Sequence, residues 1–125
     1  MPFATPAVMA LRAWPVLGSR WQARSAPGNL VALTLREANH TFWTCTVWEG
    51  EDAVRAFMTS GAHRNAMPHL LEWCDEASVA HWHQDDPEPP VWSEVYRRMQ
   101  SEGRRSKVRH PSLAHRRFEI APPRL

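Results

Sequence analysis

The period of the hydrophobic pattern changes several times along the chain, and the changes mark its elements. From Leu30 to Arg36 the positions alternate, Val31, Leu33 and Leu35 on one side and Ala32, Thr34 and Arg36 on the other. That predicts a half-buried strand. Val8–Trp14 reads as another, with Met9, Leu11 and Ala13 on one face. Thr41–Trp48 is apolar on both faces, Trp43, Cys45 and Val47 opposing Phe42, Thr44, Thr46 and Trp48. After Gly50 the period becomes helical, since Val54, Phe57 and Met58 form the i, i+3, i+4 stripe of a helix that faces a sheet. Ala77–His83 predicts a last strand, with Val79, His81 and His83 on one face and Ala80 and Trp82 on the other.

Breaking residues separate these runs. Pro15 suits a first helical turn and predicts a short helix over Val16–Arg24. Pro27-Gly28-Asn29 is a turn, and Glu37 to His40 is a hairpin connection. Ser60 caps a second helical piece carrying Ala62, Ala66 and Leu70, which Pro68 kinks near Met67. The order β-α-β-β-α-β predicts an α+β, ferredoxin-like domain with a four-stranded antiparallel sheet over residues 1–86. Residues 87–125 are expected to form a C-terminal extension: a Pro87–Pro90 linker, one short helix over Val91–Ser101, then a Pro- and Arg-containing arm. A strand buried on both sides needs a second layer, and in so small a domain a symmetry mate is the economical one. The expectation is therefore a homodimer with sheets facing one another.

Composition adds three constraints. At 125 residues with 43% apolar content the chain supports one core, and its seven tryptophans suit either that core, a deep pocket or an oligomer interface. Cys45 and Cys74 form no metal or redox motif. No stretch is long and apolar enough to span a bilayer, which makes the cytoplasm the default compartment and excludes a membrane partner. The net charge of +2 hides an asymmetry: Arg97 to Arg117 holds eight lysine and arginine residues against Glu102 alone. Such a segment suits nucleic acid, an acidic partner or solvent, and the missing recognition fold argues against nucleic acid.

His81 and His83 stand two apart on a strand, so both rings share a face. With His63 or His69 they are weak candidates for a metal, against a polar sheet edge as the alternative. His63 sits just inside a helix start, where the dipole favours a neutral ring able to act as a base, against capping or packing between helix and sheet as the alternative. Trp43, Trp48, Phe57 and Trp82 could line a pocket for a small hydrophobic ligand, or simply fill the core. Arg104, Arg105, Lys107, Arg109 and His110 could close over a neighbouring subunit or an anionic ligand.

The segment TVWEGEDAVRAFMTSGAHRNAM resembles the strand-to-helix signature of the antibiotic-biosynthesis-monooxygenase-like superfamily, through Val47, Trp48, Glu49, Ala53, Phe57, Ser60 and His63. GRRSKVRHPSLAH resembles the C-terminal extension of an uncharacterised bacterial branch of it. The resemblance implies a ferredoxin-like fold paired into a dimeric barrel. It also implies a small-molecule monooxygenase-like enzyme that acts on a hydrophobic or aromatic metabolite without a tightly bound cofactor. On that reading His63 is catalytic, while Trp43, Phe57, Met67 and Trp82 bind substrate. Haem is the alternative, because the superfamily has a haem-degrading branch; that branch carries Trp and His where this chain has Phe57 and Met67. A non-catalytic ligand-binding or structural dimer is the third reading.

Overall fold

The computed structural model describes residues 2–11, 26–37, 41–60, 64–65, 68–69, 72 and 74–123. The helix expected over Val16–Arg24, the kink near Met67, and both His63 and Met67 lie outside these residues. Among the described residues the elements are β1 (Phe3–Leu11), β2 (Asn29–Arg36), β3 (Thr41–Trp48), α1 (Glu51–Met58), β4 (Cys74–Val79), β5 (Trp82–His83), α2 (Trp92–Glu102), β6 (Arg104–Arg105) and α3 (Leu113–Arg116). The sheet runs β2-β3-β1-β4-β6, with β5 also on β1, and every pairing is antiparallel. The β2-β3-β1-β4 core is the ferredoxin-like order, so the expected fold is found.

The turn before β2 forms as the sequence indicates. Asn29 N–H donates to the Ala26 carbonyl at 3.2 Å, and Gly28 adopts φ 83. That geometry puts glycine third in a type II-like turn, after Pro27.

β1 begins at Phe3, five residues before the expected start, and it contains Pro6. Proline cannot donate to a ladder, so a central strand tolerates it only where pairing is interrupted. The interruption is visible on the β4 side. β1 pairs with β4 through Ala7 to Leu11 and with β5 through Phe3 and Ala4. Between them Ala80 N–H still donates to the Pro6 carbonyl at 3.1 Å, but Pro6 returns no bond. The strand expected as continuous over Ala77–His83 is therefore split at Ala80-His81.

Each face of the sheet has its own cover. On one face Ala4, Val8, Trp43, Cys45, Ala80 and Trp82 pack with Val95 and Met99 of α2, flanked by Trp92, Tyr96 and Ile120. On the other, Phe3 and Trp48 pack with Val54 and Phe57 of α1. Beside that second group, Phe42, Cys74 and Ala77 pack with Val108. The two-faced β3 is thus satisfied within one chain, since α2 supplies the layer that the sequence assigned to a symmetry mate. Val95 and Met99 are fully buried, each contributing about 1.5–3 kcal/mol relative to exposure.

The arm beyond α2 is docked rather than loose. Gly103 lets the backbone turn directly against Met99, where a Cβ would collide with the Met99 carbonyl. β6 then pairs with β4, Ser78 opposite Arg105 and Val79 opposite Arg104. Ser112 Oγ caps α3 by accepting His115 N–H at 3.1 Å and donates to Glu76 at 3.1 Å. His115, 8% exposed, accepts the Ala77 N–H through Nδ1 at 3.4 Å and donates from Nε2 to the Ser106 carbonyl at 3.0 Å. Both ring nitrogens are used, which is what a buried neutral imidazole requires.

Candidate functional site

The face under α1 gathers aromatic rings and two histidines. Alternation along β1 turns Phe3 and Thr5 toward it, and alternation along β3 does the same for Trp48. Trp48 meets Phe57 with ring centres 5.1 Å apart at 34°. Phe3 is stacked with His81 at 5.7 Å and 10°, and meets His83 at 4.8 Å and 60°. The β4–β5 joint opposite Pro6 places His81 there, half-buried, with Nδ1 3.4 Å from Thr5 Oγ1. Burial holds the His81 imidazole below its usual 6.5; the Arg104 charge pushes the same way and Glu51 opposes it. Trp48 Nε1 is buried without a hydrogen-bond partner among the described residues.

The residues singled out in the sequence divide between the two faces. His81 and His83 share a face as expected, both against Phe3. Phe57 lies on that face too. Trp43 and Trp82 lie on the opposite one, under α2. Trp43 is fully buried, edge-on to Tyr96 at 6.2 Å. Trp82 donates from Nε1 to Gln84 at 3.0 Å and lies beneath the Arg98 guanidinium. The sheet separates these two indoles from Phe57.

Phe3 and Thr5 escaped the sequence reading because Pro2 and Pro6 look like breakers there. The alternation of Phe3, Thr5 and Ala7 with Ala4, Pro6 and Val8 is the signal that reveals them.

The ligand chemistry of the remaining groups is limited. Burial pushes both the Cys45 and Cys74 thiols up to about 12, Asp75 adding to the effect at Cys74, so neither is a thiolate near neutral pH. Among the described residues no three His, Cys, Asp or Glu side chains converge as a metal site. Phe57, at the position where the haem-degrading branch carries Trp, is a core ring with no polar atom. Part of the basic arm is spent within the chain: Arg109 pairs with Glu72 at 3.1 Å and His110 approaches it at 3.4 Å. The His110 hydrogen bond and the Arg109 charge hold the Glu72 carboxyl below its usual range. No helix among the described residues is long and apolar enough to cross a membrane.

This fold is shared with several solved structures. Rv0793 from Mycobacterium tuberculosis aligns at TM-score 0.62 and 16% identity, covering 69% of this chain and 97% of its own. A point mutant of SnoaB, a cofactor-independent oxygenase from Streptomyces nogalater, aligns at 0.57 and 15%, covering 70% and 98%. A protein from Nitrosomonas europaea, provisionally described as an antibiotic biosynthesis monooxygenase, aligns at 0.58 and 12%, covering 69% and 92%. The chain therefore has the ferredoxin-like α+β fold of antibiotic-biosynthesis-monooxygenase-like proteins. Residues 8–106 match the family described as a domain of unknown function, DUF3291, and the chain belongs to that family. The match runs across residue 86, where the sequence suggested a boundary. A search of curated proteins finds no match.

Proposed function

We propose that this chain is a small-molecule oxygenase-like enzyme acting on a hydrophobic or aromatic metabolite, without a tightly bound cofactor. One observation carries the reading: His81 is a half-buried imidazole stacked on Phe3, its pKa lowered by burial, at the rim of an aromatic wall that includes Trp48 and Phe57. In the tautomer whose Nδ1–H donates to Thr5 Oγ1, Nε2 is the acceptor position. A neutral ring there can take the proton of a phenolic or enolic substrate, and the resulting anion is electron-rich enough to reduce dioxygen itself. The shared fold with a cofactor-independent oxygenase supports this. His63 is the second candidate base, on its place in the strand-to-helix signature.

Oxygen consumption with an anthrone-type phenol tests the proposal. Turnover by the wild type that vanishes in His81→Ala supports His81 as base, and loss in His63→Ala alone moves the role there. Unchanged turnover in both variants removes the mechanism, and ligand binding without oxygen uptake favours a non-catalytic protein. A Soret band on adding haemin would favour the haem alternative. A homodimer forms part of the same proposal, although α2 supplies the layer that β3 demanded; a monomer by light scattering at micromolar concentration would remove it.

A further inference from the structure

We infer that the docked arm forms a binding site for a small polyanion, one carrying two or more phosphate or carboxylate groups. Gly103, Arg104, Arg105, Arg116, Arg117 and Phe118 line an open cavity of about 460 Å³, in the size range of small-ligand sites. Four arginines from two separate segments line it, and no carboxylate is among the lining residues. The segments are pinned by other groups: β6 by its ladder on β4, α3 by the Ser112 cap and His115. Arg105 Nη1 donates to the Arg116 carbonyl at 2.6 Å, tying the two walls together. The scaffold therefore brings four arginines to the wall of one cavity, and a bound anion would find their positive charge uncompensated by any lining carboxylate. Arginine's planar fork suits phosphate and carboxylate oxygens equally.

Phe118 is the second, independent observation. Its N–H bonds to the His115 carbonyl at 3.1 Å and the Glu119 N–H to the Ala114 carbonyl at 2.8 Å, a Schellman ending for α3. The left-handed position of that motif normally holds glycine, yet here Phe118 occupies it at φ 55 and contributes to the cavity wall. A bulky residue in this conformation is strained, and such strain concentrates at functional sites. Lys107 and Arg109 are exposed and do not line the cavity. The cavity is separate from the aromatic face that carries the proposed oxygenase chemistry, although Arg104 lines the one and its charge acts on His81 in the other.

Calorimetric titration of the full chain with inorganic tripolyphosphate, and separately with citrate, tests the inference. Saturable one-to-one binding is expected, weakened about tenfold in Arg117→Gln and by less than about twofold in Lys107→Gln, which removes the same charge outside the cavity. That pattern with tripolyphosphate alone identifies a phosphate-bearing ligand, and with citrate alone a polycarboxylate. Equal weakening in both variants would overturn the site in favour of diffuse charge, as would binding of neither anion. A single-stranded oligonucleotide that binds more tightly than either, unaffected by Arg117→Gln, would overturn it in favour of a nucleic-acid surface.

Discussion

Arg98 lies over the ring of Trp82, its guanidinium carbon 4.5 Å from the ring centre. Glu94 holds the guanidinium in place through Nε at 2.9 Å, and Glu102 adds a longer contact at 3.7 Å. The Arg97 and Arg98 hydrogen bonds depress the Glu94 carboxyl to about 2, so this clamp stays charged at neutral pH. It fastens α2 to the sheet directly above the Val95–Met99 contact. The helix read from sequence as part of an extension is thus one of the two layers that close the core.

Removing that layer should be severe. Met99→Ala deletes a fully buried side chain against Trp43 and Trp82, and the expected loss is about 2–4 kcal/mol by urea denaturation. Arg98→Ala, which loses a partly exposed cation–ring contact, should cost about 1 kcal/mol. A chain ending at Asp86 should fail to fold cooperatively, because Trp43, Cys45 and Trp82 would face water. A cooperative transition in that fragment would show that residues 1–86 are self-sufficient.

Histidine 81 gives the protein a pH dependence of definite sign. Its folded pKa lies below 6.5, so between the two values the unfolded chain binds more protons than the folded one. Stability is therefore full above the unfolded pKa and is lost as pH falls through the folded one. Thermal melts from about pH 8 to about pH 5 should show this decline, and His81→Phe, which keeps the stack on Phe3, should flatten it. Glu94 titrates near its depressed value, well below this window. An identical slope in His81→Phe would assign the effect to another group.

Gly28 should tolerate no side chain. Its φ of 83 disfavours one, and a Cβ would stand 2.5 Å from the Ala53 Cβ on α1. Gly28→Ala should cost about 2 kcal/mol or more from strain and overpacking together. Because the same turn accepts Glu49 N–H at the Gly28 carbonyl, 2.8 Å away, the change should also loosen the entry to α1. Faster amide exchange at Glu49 is the local readout.

How much of this could be read from the sequence depends on the element. β2 is legible over nearly its full length because its alternation is uninterrupted and Pro27-Gly28 sets its start, and β3 because its two-faced apolar run stops at Gly50. β1 was legible only from Val8, since Pro6 signals a break that in the fold falls on the opposing strand instead. Alternation placed His81 and His83 together correctly, yet nothing local says that Phe3 comes to them, because that contact depends on β5 pairing with β1. Trp43 and Trp82 were grouped with Phe57 by chemistry alone, and strand parity divides them. The arm resisted prediction for a different reason. Its order comes from Ser112, His115 and the β6 ladder, long-range contacts that leave no period in the sequence.

His115 is where that order can be tested. Substituting alanine leaves the Ala77 N–H without its partner at a buried edge and takes one of two donors from the Ser106 carbonyl, which keeps the Val108 N–H, an expected cost of about 2 kcal/mol. The loss should be local first, since β6 pairs with β4 only through Ser78–Arg105 and Val79–Arg104. Limited trypsin digestion should then cut at Arg104 and Arg105 well before the rest of the chain, and tripolyphosphate binding should fall with the arginine walls no longer held together. His115→Asn, whose amide offers an NH2 donor group and a carbonyl acceptor, should recover part of both. Unchanged digestion in His115→Ala would show that the ladder and the Ser112 cap hold the arm by themselves.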